Sequence, residues 1–304
     1  MKKNSLTIVY TYAILAMLFW SFAFIGVKKL YDYGFKPITV VFFRLVIASV
    51  ILHLIGFFFF KQEKVRKEDY GRFFLLAFFE PFCYFMGESF GMQYVSASLA
   101  SIIVALIPLV TPLFAWFVIK EKVNIFEIIG LIVSFAGVLL LVVNDFRLEG
   151  RIIGYLLMFV AVLGGTNYGI VLRTIADNYS ALTIVKVQTL LGALLFLPFF
   201  LWWELPYFKT QAFIPQPYAL LSLLAIFPSS IAFILLTIVV RNIGVVRANV
   251  FTNLIPIMTG LLSFFLINEQ FNLIKISAMF VVIIGLFISQ LHRFDFLIFK
   301  KSSN

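Results

Sequence analysis

Three residues in the apolar stretch FFEPFCYFMGESFGMQ have the types and spacing to do chemistry. Glu80, Tyr84 and Glu88 recur at i, i+4, i+8, which puts them on one side of a helix. Two carboxylates with a phenol between them can hold a proton or an ammonium group. An ionised side chain at the centre of a membrane helix costs roughly 2.5–3.5 kcal/mol on insertion, so each acid needs a reason to be there. Pro81 adds a bend and frees a backbone carbonyl beside Glu80. Glu80 has no basic partner at its depth in neighbouring runs. Two readings stand for it: a carboxylate in a cavity wall, or a neutral, hydrogen-bonded acid in the core. Glu88 matches Arg44 of the preceding run in depth. It either neutralises that cation or joins it in a cavity.

Other polar residues fall inside apolar runs. The mirror position of Arg44 in the second half of the chain is Gln188, close to Lys186, which is near enough to a run end to snorkel. Gln188 and Asn167 serve either helix–helix hydrogen bonds or a ligand. Asn249, Thr252 and Asn253 form a stripe at i, i+3, i+4 ahead of Pro256. Trp20 and Phe24, with Tyr168, suit an apolar or aromatic ligand group, although 18% of the chain is aromatic and lipid or core contact explains such rings equally. The candidate binding set is therefore Glu80, Tyr84, Glu88, Arg44, Trp20, Asn167, Gln188 and Asn253. Gly87–Gly91 and Gly165–Gly169 read as close-packing spacings, and Glu121 and Glu269 as caps or interfacial partners of Lys122 and Lys275.

The elements that position these residues follow from composition. Of 304 residues 62% are hydrophobic and 12% charged, and the mean hydropathy is +1.06. About a quarter of a soluble domain is charged, so lipid must solvate much of this surface. Ten runs reach spanning length: 8–27, 38–60, 71–92, 97–119, 125–143, 151–172, 180–203, 217–239, 246–267 and 272–291. The links between them are short, and the polar ones are 61–70 and 204–216. With the N-terminus in the cytoplasm, fifteen Lys and Arg residues fall inside and seven outside, which predicts both termini on the cytoplasmic side. The first run continues past any small-residue cleavage site and reads as a retained helix.

The formal charge of +10 is scattered between apolar runs, without the face or stripe that nucleic acid requires. The single Cys83 leaves no internal disulfide, and no metal-spaced Cys/His set occurs. His53 and His292 lack sequence-near partners. No Walker A, HExxH or GxSxG motif and no Asp pair is found, which excludes ATP hydrolysis within this chain and disfavours a membrane-embedded enzyme. No cofactor is expected.

Sliding the chain by 148 residues pairs Pro108 with Pro256, Glu121 with Glu269, Asn124 with Asn272 and Gly137 with Gly285, within 13 identities over 38 positions. Composition alone gives roughly three or four, and Pro, Glu, Asn and Gly matches do not arise from shared greasiness. The first runs align at a slightly different offset, with Tyr12 on Tyr155 and Gly26 on Gly169. Each half, 1–145 and 146–304, thus holds five runs. An odd number forces the halves into opposite orientations. The expectation is an all-α membrane protein of ten transmembrane helices, two five-helix inverted repeats around a central cavity.

The paired segments SASLASIIVALIPLVTPLFAWFVIKEKVNIFEIIGLIVSFAGVLLL and RANVFTNLIPIMTGLLSFFLINEQFNLIKISAMFVVIIGLFIS, with AILAMLFWSFAFIGVKK and KPITVVFFRLVIAS, resemble the ten-helix EamA-type branch of the drug/metabolite transporter superfamily. The resemblance covers nearly the whole chain. It implies a secondary transporter that exports or exchanges amino acids or related metabolites across a bacterial inner membrane, with proton coupling and oligomeric state left open. A lipid or lipid-carrier flippase of the same architecture is the alternative. The two acids of FFEPFCYFMGESFGMQ depart from the family's generic pattern, so substrates of relatives without them do not transfer.

Overall fold

The computed structural model describes residues 5–60, 63–119, 124–145, 152–210, 214–269 and 272–299. Among these the chain is helical, without strands. The segments are α1 Leu6–Asp32, α2 Pro37–Phe59, α3 Lys67–Gly91, α4 97–119, α5 Ile125–Asp145, α6 Ile152–Ile175, α7 Ala181–Phe208, α8 Pro215–Ile243, α9 245–267 and α10 Leu273–Phe299. Seven are long and apolar enough to cross a membrane, and shorter apolar helices lie within α5, α9 and α10. This is a multi-pass membrane protein. Glu121, Lys122 and many of the basic residues that orient the chain, among them Lys2, Lys3, Lys300 and Lys301, lie outside the described residues.

Local signals start the helices where the sequence places them. Ser96 and Ser180 accept from the backbone N–H of Leu99 (3.3 Å) and Thr183 (3.2 Å), and Pro37 and Pro215 occupy first-turn positions that need no donor. Gly244 turns the chain between α8 and α9 at φ 82°, a left-handed conformation that costs glycine little.

Five spans are interrupted rather than continuous, α7 by a wide turn at Phe200–Glu204 just before Pro206. In α3 a wide turn covers Phe78–Cys83, with Glu80 extended at φ −148°, ψ 117° and a cis Glu80–Pro81 bond. In α8 a matching wide turn covers Phe227–Ile231 around Pro228. α4 breaks at Ala105–Leu106 ahead of Pro108, and α9 tightens at Phe251–Asn253 ahead of Pro256. Each break sits next to a proline, which cannot supply the N–H that continues the hydrogen-bond ladder.

Helices pack in antiparallel pairs. α2 and α7 lie head to tail: Glu204 of α7 accepts from Ile38 N (3.2 Å), Thr39 N (2.6 Å) and Thr39 Oγ1 (2.6 Å) at the start of α2. At the other end, Glu63 accepts from Ser180 N (2.9 Å) at the start of α7. By hydropathy the seventh run ends at residue 203 and Glu204 falls in the polar link 204–216. Instead α7 continues through a wide turn to Phe208, because the unpaired N–H groups at the start of α2 need the buried carboxylate. α3 meets α6 at Gly87, where a Cβ would stand 2.4 Å from Leu157 O, so only glycine admits that approach. α1 crosses α8 through Trp20, whose indole N–H donates to Pro228 O (3.2 Å). α5 packs on α10, where Ser134 Oγ donates to Val282 O (3.0 Å). Between α4 and α9, Ser98 Oγ bonds Ser263 Oγ (2.8 Å) and Glu269 (3.0 Å). Glu269 therefore serves the first turn of α4, a contact that sequence spacing did not suggest.

Candidate functional site

The breaks in α3, α4 and α9 border one cavity, lined from α1, α2, α3, α4, α6, α8 and α9. It offers about 70 Å³ to the centres of water-sized molecules, room for a few waters or one small solute. Its wall holds Trp20, Phe24, Arg44, Glu80, Tyr84, Phe85, Glu88 and Tyr168 along with small and aliphatic side chains.

The acids reach this wall by different routes. Glu88 sits in the regular part of α3 and accepts a 3.0 Å bond from the Tyr84 hydroxyl one turn before it. Glu80 sits in the extended residue of the break, so its side chain is aimed by the distortion and not by helical period. It is 8% exposed, and no hydrogen bond to it is found among the described residues.

Arg44 is 2% exposed. Its Nε donates to Ser229 Oγ (3.2 Å), in the wide turn of α8, and its guanidinium lies 4.9 Å from the Phe85 ring centroid. Nη1 is buried without a hydrogen-bond partner. Arg44 makes no ion pair with Glu88 within 4.0 Å among the described residues; the two groups share the cavity wall and act on each other's charge without direct contact. Equal depth brought them together in the sequence reading. Ser229 and Tyr84 take their hydrogen bonds instead.

Three other candidates lie elsewhere. Asn167 donates to Leu163 O of its own helix (2.8 Å) and is not in the cavity wall. Gln188 is buried behind Tyr168, whose hydroxyl donates to it (3.4 Å). Asn253 is turned away by the tight turn at Phe251–Asn253, which breaks the i, i+3, i+4 register. Asn249 and Thr252 line the cavity in its place. Trp20 is in the wall, held by Pro228 O and set edge-on to Phe233. Ser229 and Pro228 went unnoticed in the sequence, yet sliding the chain by 147 pairs Pro81 with Pro228 and would have exposed the second break.

Among the described residues no group of three His, Cys, Asp or Glu is placed to hold a metal. His53 bonds Ser49 O of its own helix (2.8 Å).

With this geometry in place, the chain belongs to the EamA-like transporter family, whose model matches residues 7–143 and again 152–291. It is similar to the uncharacterized transporter YetK of Bacillus subtilis (strain 168), at 24% identity over 82% of this chain and 77% of the relative. An uncharacterized transporter of Archaeoglobus fulgidus is 24% identical over 90% of this chain and 94% of its own. A solved crystal structure shares the fold at a TM-score of 0.68 and 16% identity, covering 95% of this chain and 99% of that one. The family fits a small-molecule transporter and not an enzyme.

Proposed function

We propose that the protein is a secondary transporter of small metabolites, amino acids or related compounds among them, working by alternating access across a bacterial inner membrane with both termini in the cytoplasm. The architecture behind this reading is ten spans in two inverted five-span repeats, residues 1–145 and 146–304. The packing supports it. α2–α7, α5–α10 and α4–α9 each join a helix to its own repeat mate, and α3–α6 answers to α8–α1, as a two-fold axis in the membrane plane requires. Glu204 at the start of α2 and Glu63 at the start of α7 play matching capping roles under the same exchange, though they are not at equivalent positions.

The observation that carries the function is the cavity at this axis, to which each half contributes ten lining residues. A site shared equally by two opposed units is exposed to one side or the other as the units rock. In the proposed orientation it runs from Arg44 and Glu88 toward Val240 and Val245, near the inner ends of α8 and α9. Enclosure by seven helices favours a small solute over a lipid tail, which needs a lateral opening between helices. Driving force comes from a gradient, with a proton as the candidate coupling ion.

Reconstitution into liposomes tests this. Purified protein should accelerate uptake of at least one radiolabelled amino acid or related small metabolite over protein-free vesicles, and an imposed pH gradient should change the rate if protons are coupled. Lipid-probe scrambling with no solute flux would instead favour the flippase.

A further inference from the structure

The cavity wall holds two ionisable groups that the protein leaves open. The Arg44 guanidinium is fixed from two sides, by Ser229 Oγ at Nε and by the Phe85 ring below, while Nη1 is buried and unpartnered. A buried donor on a cation costs free energy until an acceptor arrives. Glu80, in the same wall, is buried and takes no hydrogen bond among the described residues, whereas Glu88 is already engaged by Tyr84. The same wall carries the rings of Trp20, Phe24 and Tyr168.

We propose that the cavity recognises a small zwitterion by two charges, with Arg44 Nη1 taking the carboxylate, Glu80 the ammonium, and the aromatic wall an apolar side group. This narrows the transport reading and rests on it only for what happens after binding. Each charge of the ligand supplies what its protein partner lacks, so a ligand with one charge leaves the other group unmet. Ser229 is a positioning residue here. It touches the guanidinium and not the ligand, and it reaches Arg44 from the broken helix of the opposite half. The carboxylate subsite is thereby complete only while α2 and α8 hold their present relation.

The test uses the full chain in detergent and a matched set: L-leucine, 3-methylbutylamine, which lacks the carboxylate, and 4-methylpentanoate, which lacks the amine. Isothermal titration should give leucine an affinity about tenfold to a hundredfold above either analogue. Arg44→Gln should erase leucine's advantage over the amine and keep its advantage over the acid. Glu80→Gln should do the reverse. A variant that still binds one analogue is folded, so the crossed pattern separates recognition from collapse. Ser229→Ala should weaken leucine several-fold, with Ser229→Thr restoring it. Equal binding of leucine and a singly charged analogue by the wild type, no binding of any of the three, or the same loss for all ligands in both charge variants would overturn the proposal. Leucine binding without flux in proteoliposomes would remove the transport reading and leave the recognition standing. Flux of solutes without regard to charge would do the opposite.

Discussion

The two halves of the molecule build the cavity in equal shares and load it unequally. Each contributes ten lining residues, and two positions are repeat mates on both sides: Val104 with Thr252, and Ile107 with Ile255. The backbone devices are duplicated as well, a wide turn at Pro81 answered by one at Pro228, and a break before Pro108 answered by one before Pro256. Yet Arg44, Glu80 and Glu88 all belong to the first half, while the second offers only the neutral polar groups of Tyr168, Asn249 and Thr252. Duplication preserved the parts that bend and pack the helices. The polar side chains of the cavity wall diverged; under the proposed recognition this follows because a solute with polarity of its own cannot be matched by a two-fold symmetric set of charges.

Breaking the charged half should therefore cost most. Glu80→Gln is expected to reduce flux in proteoliposomes by at least about a hundredfold, in line with losing a charge-assisted contact, while size-exclusion chromatography finds folded protein. Thr252→Val, at a cavity position of the second half, should change flux by less than about threefold, since the Thr252 hydroxyl is spent on Asn249 O of its own helix (2.7 Å). Equal losses in the two variants would dissolve the asymmetry.

The helix contacts make the next comparison. Gly87→Ala must push α3 from α6, because the backbone oxygen of Leu157 stands 2.4 Å from the added carbon. Its cost should be about 1–3 kcal/mol in a detergent melt. Gly71→Ala, in the same helix with nothing near its Cβ position, should be neutral or slightly stabilising.

The reciprocal caps differ in burial, and their effects should too. Glu204 is buried and serves three donors, so Glu204→Ala should cost about 2 kcal/mol. Glu63→Ala, at a more open site, should cost less than that. Partial burial pushes the Glu63 carboxyl up, but bonds from Ser180 and Thr183 and the Arg241 charge together hold it below the usual carboxylate range. A depressed carboxylate stabilises the fold above its ordinary titration and loses that contribution as pH falls through the folded value. Melting curves should therefore separate wild type from Glu63→Gln at pH 7, and the gap should close on acidification below about pH 4.

Much of this was legible in the sequence for physical reasons. Spans declare themselves by length and hydropathy, and the repeat by Pro, Glu, Asn and Gly at one offset. Glu80, Tyr84, Glu88, Arg44 and Trp20 stood out because polar or bulky groups in hydrocarbon are few, and all five are in the cavity wall. Depth along a helix can be counted from its ends, but the direction a side chain takes around it cannot once the helix is broken. That is why equal depth leaves a direct Arg44–Glu88 contact open where each group takes another hydrogen-bond partner, and why the stripe includes Asn253 where only Asn249 and Thr252 line the cavity. Glu204 was hidden for another reason. Its role depends on the start of α2, 165 residues away for Thr39, and no local pattern encodes that meeting.

The central claim, that the halves are opposed across the membrane, is tested most directly by accessibility labelling of Lys64→Cys and Lys209→Cys, each in a Cys83→Ser background. In oriented vesicles, a membrane-impermeant maleimide should reach residue 64 from the cytoplasmic face and residue 209 from the opposite face. Labelling of both positions from one face would contradict the inverted repeat and, with it, the cavity as a passage between the two sides.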